Sequence, residues 1–328
     1  MSKKGTVFSL LAILAILVFL CICCAVTFLM IGAVSEYETD SNITEEVVSK
    51  GDSSDEIALI DIEGMIASNM DTLDSGDQDM VDLILAKLEK AKKDDSVKAV
   101  ILRLNTPGGT VYDSHIITQK VKEVKQVKPV ISLMGMSATS GGYYISAPAN
   151  KIVASETSLT GSIGVIVRIT DLDGLYEKLG INVYSVTNTQ GDMKALDNID
   201  DPKSEDRAIL EEVLDDDYEA FIREVMEGRG MTREEVLAIA DGSIYSGKKA
   251  KKLGLVDELG GLDTAIMLAE EEAGISDAKV VEYDTYIDPF SNFSLLMMSK
   301  INPLFEVNEK LNTEPGMYLY YMPENELK

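Results

Sequence analysis

The chain is 328 residues long and carries 56 acidic residues against 30 lysines and arginines, a formal net charge of −26. A surface this acidic repels the phosphates of nucleic acids, so we expect no nucleic-acid partner. The chain has one histidine, and its three cysteines, Cys21, Cys23 and Cys24, all lie in an apolar N-terminal segment. Beyond that segment, disulfides are excluded and almost only carboxylates remain as metal ligands, so we expect no metal and no cofactor.

The uncharged, apolar segment runs from Val7 to Ile31. It exceeds the roughly 20 residues that a helix needs to cross a bilayer, whereas the apolar region of a cleavable signal peptide has only about 7 to 15. Lys3 and Lys4 precede the segment, and acidic residues follow it. The positive-inside rule therefore predicts that residues 1–34 comprise a cytoplasmic N-terminus and an uncleaved, single-pass anchor in the cell membrane, with the remainder extracytoplasmic.

Residues 35–55 are rich in serine, threonine, glutamate and aspartate, which predicts a solvated acidic linker. Residues 56–284 then alternate short apolar runs with amphipathic stretches, a pattern typical of parallel strands joined by crossover helices in one α/β domain. We expect strands at 57–62, 99–104, 130–134, 151–154 and 183–186. We expect helices at 80–88, 110–127 and 172–179, one directly after Ser140, and one from Asp201-Pro202 to Gly228-Arg229-Gly230.

Residues 285–328 form a C-terminal tail that differs in character from the preceding domain. Two apolar runs, 295–298 and 317–322, are separated by prolines and polar residues. We expect the tail to pack on its own domain or on a neighbouring chain. The alternative is that the last apolar run occupies a peptide-binding groove.

Ser140 begins the sequence Ser140-Gly141-Gly142-Tyr143-Tyr144, after an expected strand and at the start of an expected short helix. A serine in this position is most often a helix N-cap. It also suits a nucleophile, because Gly141 lets the backbone approach a substrate closely and because a helix N-terminus favours negative charge. Ser140 is therefore a candidate nucleophile, and the Gly141 amide is a candidate oxyanion donor.

The run Asn105-Thr106-Pro107-Gly108-Gly109 ends the preceding strand. It is compatible with an ordinary strand-to-helix turn. Open α/β sheets, however, place their sites at strand ends, where Gly108 or Gly109 can turn an amide toward the same carbonyl oxygen as Gly141. Losing one such donor typically costs about 2.7 to 4 kcal/mol of transition-state stabilisation.

A serine nucleophile needs a base, and two residues are candidates. His115, the only imidazole, lies in the first turns of the helix after Gly109 and would give a Ser-His-Asp triad. Lys194 is the alternative, although a lone lysine in a polar loop is normally a solvated surface charge. To act as a base, Lys194 needs a pKa that falls from about 10.4 by roughly 3, which requires burial in an apolar pocket.

These motifs, in this order, resemble those of the signal peptide peptidase A family of membrane-anchored serine peptidases. The resemblance covers about residues 57–273 and is most specific at 105–109, 136–154, 159–166 and 247–261. It implies a fold of the caseinolytic-peptidase and crotonase type, a spiral of parallel strands and crossover helices, preceded by one transmembrane helix. A single Ser-Gly-Gly-Tyr-Tyr motif matches the short form of the family, which implies a homo-oligomeric assembly.

The resemblance also implies roles for the site residues. Ser140 is the expected nucleophile and Lys194 the expected general base. Ser162, otherwise interpreted as a turn serine, is expected to hydrogen-bond the lysine amine and position it. Gly108 or Gly109, together with Gly141, is expected to form the oxyanion hole.

The chain departs from the family pattern around the lysine and the serine. Met193 stands where an aromatic residue is usual, and the residues that follow Lys194 differ from the common continuation. Asp192 would favour the charged form of the lysine if the two side chains are close. Thr139 replaces the alanine that usually precedes the nucleophile.

The leading hypothesis is a membrane-anchored serine endopeptidase that degrades cleaved signal peptides and similar apolar peptides. The alternative is a catalytically inactive, peptide-binding or regulatory scaffold of the same fold, which the presence of both Ser140 and Lys194 argues against. A crotonase-type acyl-CoA enzyme shares the glycine-rich oxyanion donors. The acidic surface and the extracytoplasmic location argue against its polyanionic coenzyme.

Overall fold

The computed structural model describes residues 43–68, 79–184, 203–285 and 319–321. Its strands are β1 (Ile43–Ser49), β2 (Glu56–Glu63), β3 (Val97–Thr106), β4 (Gly108–Thr110), β5 (Val130–Thr139), β6 (Lys151–Ala154), β7 (Leu159–Gly161), β8 (Ile244–Ser246), β9 (Glu258–Leu259), β10 (Lys279–Thr285) and β11 (Leu319–Tyr321). Its helices are α1 (Met80–Lys93), α2 (Val111–Lys125), α3 (Gly141–Ser146), α4 (Asp173–Leu179), α5 (Glu205–Arg229), α6 (Arg233–Leu237), α7 (Gly247–Lys252) and α8 (Leu262–Ala273).

Nine of these strands form one sheet in the order β1-β10-β2-β3-β5-β6-β9, with β7 pairing both β5 and β8. The pairs β10–β2, β2–β3, β3–β5, β5–β6, β5–β7 and β6–β9 are parallel, and β7–β8 is antiparallel. The prediction of an α/β fold with a mostly parallel sheet is confirmed. Outside this sheet, β4 and β11 form a separate antiparallel pair.

Helices pack on both faces of the central strands. On one face, α8 covers alternate residues of β2, β3 and β5, including the fully buried Leu59, Ile101 and Ile131. On the other face, α1 contacts β2 and β3, and α2 contacts β5, with Leu88 and Val121 fully buried. Strands buried on both faces are apolar along their length, and each buried side chain of this size contributes about 1.5 to 3 kcal/mol.

Strand β5 is longer than predicted, because it continues through Gly135 and ends at Thr139. Its first half pairs with β6 and its second half with β7. Between the residues that pair with Leu104 and Thr106, β5 contains two more residues than β3 does. Such a bulge bends a strand. Gly135 permits the close approach, since a Cβ there would lie 3.1 Å from the Leu104 carbonyl oxygen. The bent strand delivers Ser140 beside the end of β3.

Helix α5 begins later than predicted. Ser204 is its N-cap and accepts a hydrogen bond from the Arg207 amide at 3.1 Å, so the helix begins at Glu205. Residues 201–202 lie outside the described residues. The predicted end is confirmed, because α5 ends at Arg229 and Gly230 adopts a left-handed φ of 64°.

Two other predictions differ from the structure. Residues 183–184 lie in no strand, and the remainder of that predicted strand is outside the described residues. The predicted acidic linker contains strand β1, whose Ile43, Val47 and Val48 are β-branched, a residue type that favours strands.

No helix within the described part of the chain is both long enough and apolar enough to cross a bilayer. The predicted anchor at residues 1–34 lies outside that part.

Candidate active site

Ser140 lies on a strained turn between β5 and α3. Its φ of 53° and ψ of −116° are rarely adopted by L-residues, and strain of this kind costs of order 1–3 kcal/mol. Ser140 occupies the N-cap position of α3, yet its side chain makes no capping hydrogen bond. The interpretation of Ser140 as a helix cap that acts through its side chain is therefore wrong.

Two contacts hold the Ser140 turn against the glycine-rich loop after β3. The Thr139 hydroxyl donates a hydrogen bond to the Pro107 carbonyl oxygen at 3.1 Å. Gly142 lies so close to Thr106 that a Cβ on the glycine would come 2.6 Å from the threonine Cγ2. The two segments that the motifs singled out are therefore brought together where β3 and β5 end.

The amides of Gly108 and Gly109 face different groups. The Gly108 amide donates to the Thr106 hydroxyl at 3.0 Å, so it is occupied within the loop. One edge of β4 pairs with Ile66, whose amide donates to the Gly108 carbonyl oxygen at 2.9 Å and whose carbonyl oxygen accepts from the Thr110 amide at 2.8 Å. Successive amides of a strand point in opposite directions, so the Gly109 amide faces the other edge. Gly109 is therefore the better candidate for an oxyanion donor, with its amide facing the edge that β11 occupies in this structure.

Ser162 directly follows β7 and, like Ser140, has a positive φ, 51°. Its amide donates to the Ser243 carbonyl oxygen at 2.8 Å, and the Ser140 amide donates to the carbonyl oxygen of Gly161 at 2.8 Å. Ser162 is thus one residue away from the group that binds the Ser140 backbone. This is the neighbourhood in which the family resemblance expects it.

The two candidate bases differ in what the structure shows of them. Lys194 lies outside the described residues. His115 lies on α2, and its Nδ1 is 3.2 Å from the Tyr144 hydroxyl. Within the described part of the chain, the hydrogen-bond partner of His115 is therefore this tyrosine and not Ser140.

The two tyrosines of the motif anchor α3 in the interior. The Tyr143 hydroxyl donates to the Leu255 carbonyl oxygen at 3.1 Å, and Tyr144 packs edge-on against Phe221 with ring centroids 5.0 Å apart. Burial raises the pKa of both phenols above the usual range, so neither serves as a base near neutral pH. Their contribution is to fix the helix that begins directly after Ser140.

Residues 319–321 of the C-terminal tail lie at this site. Strand β11 contacts α2 and α3 and pairs antiparallel with β4 in the register Leu319–Thr110, Tyr320–Gly109 and Tyr321–Gly108. Residues 319–321 of the tail therefore pack on their own domain, along the β4 edge that the Gly109 amide faces.

Two residues beside the site were not identified from the sequence. Thr106 accepts the Gly108 amide, and no pattern distinguishes it from other loop threonines. Asp113 is buried and accepts hydrogen bonds from Ser68 and Thr110. The sequence could have indicated its contact with Thr110, because the two residues have the spacing of a helix capping box. No group of three potential ligands suitable for a metal occurs among the described residues.

Comparisons with known proteins identify the family to which the chain is similar. The model of Peptidase family S49 matches residues 122–276. A candidate signal peptide peptidase SppA of Enterococcus faecium is 36% identical over 295 residues, 85% of this chain and 85% of that protein. Protease 4 of Haemophilus influenzae is 34% identical over 66% of this chain but only 34% of its own length. The chloroplastic serine protease SPPA of Arabidopsis thaliana is 31% identical over 73% of this chain and 36% of its own length.

Proposed function

Because this chain belongs to peptidase family S49, we propose that it is a membrane-anchored serine endopeptidase that degrades cleaved signal peptides and similar apolar peptides. Ser140 is the nucleophile, and Lys194 is the general base, positioned by Ser162. The domain at residues 56–284 has the caseinolytic-peptidase and crotonase type of fold. The observation that carries the proposal is the strained turn at Ser140, which keeps a serine hydroxyl uncapped beside the glycine-rich loop.

In the proposed reaction, the neutral amine of Lys194 takes the proton of the Ser140 hydroxyl while Oγ attacks the carbonyl carbon of the scissile peptide bond. The amides of Gly109 and Gly141 donate hydrogen bonds to the oxyanion that develops. The lysine ammonium then gives its proton to the leaving nitrogen, the C–N bond breaks, and an acyl-serine ester remains. Water, deprotonated by the same amine, hydrolyses the ester and restores the Ser140 hydroxyl.

An extended peptide is the form of substrate that β4 supports best. Main-chain pairing along an exposed strand edge gives affinity while leaving side-chain selection to neighbouring pockets. The outer edge of β4 already pairs antiparallel with a segment of chain, β11. The name of the Enterococcus relative supports signal peptides as the substrate class.

The test is cleavage of a fluorogenic apolar peptide by the full chain in detergent, beside Ser140→Ala and Lys194→Ala. We expect both variants to lose at least about 10³-fold in kcat while keeping the melting temperature of the parent. A serine-directed fluorophosphonate is expected to label the parent and not Ser140→Ala. Turnover retained in Lys194→Ala would place the base elsewhere, with His115 the next candidate. A parent that neither cleaves nor reacts would favour the peptide-binding scaffold.

The pH profile of the parent belongs to the same test. The active form of a lysine base is the neutral amine, so kcat/KM is expected to rise toward alkaline pH as the proton is lost. A flat profile from about pH 6 to 9 would count against the lysine, since a group that titrates there must change the rate.

We further propose that residues 1–34 form a single-pass anchor in the cell membrane, with the N-terminus cytoplasmic and the catalytic domain outside. The uncharged run from Val7 to Ile31 and the lysines before it support this arrangement. We also propose that several copies of the chain assemble, which the exposed apolar side chains around α4 support.

A further inference from the structure

Asp113 is a buried carboxylate whose hydrogen-bond donors, within the described part of the chain, are uncharged. It is 3% exposed and lies in the first turn of α2. Its oxygens accept hydrogen bonds from the Ser68 amide at 2.8 Å, the Ser68 hydroxyl at 2.6 Å and the Thr110 hydroxyl at 2.7 Å. A carboxylate is costly to bury unless donors satisfy its oxygens, and here donors from two separate segments do so.

These hydrogen bonds clamp together the two segments that flank Gly109. Thr110 is the last residue of β4, and Ser68 lies two residues beyond Ile66, the residue that pairs with β4. The approach is so close that a Cβ on Gly109 would come 1.8 Å from the Ile66 carbonyl oxygen. The ladder between Ile66 and β4 is short, and Asp113 extends it by joining Ser68 to Thr110.

Strand β4 needs such a clamp because it belongs to no part of the nine-stranded sheet. Its position relative to Ser140 is set by the loop at Thr106, by the segment at Ile66 and by β11 at the outer edge. A movement of β4 would move the Gly109 amide with it. A misplacement of about 1 Å can cost on the order of 100-fold in rate.

We propose that Asp113 is a positioning residue for the oxyanion hole. It fixes β4, and through β4 it holds the Gly109 amide where the amide can donate to the oxyanion formed by Ser140. In this role Asp113 acts through its hydrogen bonds to Ser68 and Thr110 and not by contact with the reacting atoms. The inference rests on the proposed peptidase function and adds to it a residue that acts through Thr110 and Ser68.

The test is steady-state cleavage of the fluorogenic apolar peptide by full-length Asp113→Asn, which keeps the size of the side chain and removes one acceptor oxygen. We expect kcat to fall about 10- to 100-fold while KM changes less than about 3-fold, because the oxyanion forms only in the transition state. A peptidyl aldehyde, whose hemiacetal oxygen occupies the oxyanion hole, is expected to lose affinity by a similar factor.

The chain offers a matched control in Asp94→Asn. Asp94 accepts hydrogen bonds from the Ser96 amide at 2.8 Å and the Ser96 hydroxyl at 2.6 Å, at the opposite end of β3. These two donors correspond to those that Ser68 supplies to Asp113. This variant is expected to keep the kcat of the parent. A second pair of variants keeps the test informative if Asp113→Asn fails to fold. Thr110→Ser keeps the hydroxyl and is expected to keep the kcat of the parent. Thr110→Val removes the hydroxyl and is expected to have a lower kcat.

The outcomes distinguish the positioning role of Asp113 from the proposed peptidase function. If Asp113→Asn keeps the kcat and the aldehyde affinity of the parent, or loses only melting temperature, Asp113 is a helix-capping residue and the positioning role is overturned. The same holds if Asp94→Asn loses as much kcat. If the parent itself does not cleave the peptide, the peptidase function fails, and that result is distinct from any difference between the variants.

Discussion

Ser140, the proposed nucleophile, adopts a backbone conformation suited to glycine. The φ and ψ of Ser140, 53° and −116°, are those of the first central position of a type II′ turn. In this conformation the hydroxyl does not cap α3, although the residue occupies the N-cap position. The strained turn therefore suits the proposed role of Ser140, because a hydroxyl that caps a helix is engaged by a backbone amide and this one does not cap α3.

A comparison of Ser140→Gly with Ser140→Ala isolates this strain, since both variants lack the hydroxyl and only alanine has a Cβ. We expect both variants to be inactive. We expect the free energy of unfolding of the glycine variant to be about 1 kcal/mol higher than that of the alanine variant. Glycine relieves the strain of the turn, but its greater entropy in the unfolded chain offsets part of this gain. Urea denaturation measures the difference.

The control for this comparison is the same exchange at Ser146, a buried residue within α3. There the order is expected to reverse, because glycine inside a helix is less stable than alanine by about 0.5 to 1 kcal/mol. Equal stabilities of the two Ser140 variants would contradict the idea that the turn stores strain.

Among the elements, β4 lies outside the nine-stranded sheet and has a different partner at each edge. Its inner edge is fixed by Ile66, and its outer edge pairs with β11 near the end of the chain. Both partners are backbone, so any extended segment of suitable direction can take the place of β11. The tail and a peptide substrate that use the same edge exclude each other.

Removal of residues 317–328 is therefore expected to lower KM for the fluorogenic peptide several-fold without changing kcat, because a tethered competitor acts at a high effective concentration. A synthetic peptide of residues 317–328 is expected to inhibit the truncated chain competitively. Removal of residues 323–328 alone leaves β11 in place and serves as the control. An unchanged KM after the longer truncation would show that the tail does not compete with substrate.

The elements predicted best from the sequence are those whose pattern follows from burial. Strands β2, β3 and β6 are continuous apolar runs because helices or neighbouring strands cover them, and α1 repeats its apolar residues at helical spacing. The extension of β5 past Gly135 was not predicted. It depends on the Leu104 carbonyl oxygen, which the chain brings close only after folding.

The parts of the candidate site that are short local motifs were predicted from the sequence. The serine turn and the glycine loop are short patterns, and the structure brings them together. The difference between Gly108 and Gly109 is not in the pattern, since it results from the hydrogen bond to the Thr106 hydroxyl. The contact of Asp113 with Ser68 spans 45 positions in the chain, and no spacing rule reports it.

For the whole molecule, the distribution of apolar surface is more informative than its net charge. Helix α4 has no buried residue. The helix and its flanks expose a set of large apolar side chains: Ile166, Ile169, Leu172, Leu175, Leu179, Ile181, Val183 and Tyr184. Apolar surface concentrated in one segment marks an interaction site, and copies of a chain with a net charge of −26 need such contacts to overcome their mutual repulsion.

We expect α4 to lie in the contact between copies of the chain. Leu175 and Leu179 are 51% and 62% exposed, so changing both to glutamate is expected to preserve the melting temperature of the monomer. The mass in detergent, measured by light scattering, is expected to fall to that of one chain. Peptide cleavage is expected to fall with it, because α4 leads into the segment that carries Lys194.

The matched control changes Leu237 and Met267, 42% and 56% exposed on α6 and α8, to glutamate. This variant adds the same charge elsewhere on the surface and is expected to keep the mass and the activity of the parent.

Added salt is expected to strengthen the parent assembly, since it screens the repulsion between acidic copies and leaves apolar contacts intact. An α4 variant with the mass of the parent, or a parent that is already a single chain, would rule out assembly through this helix.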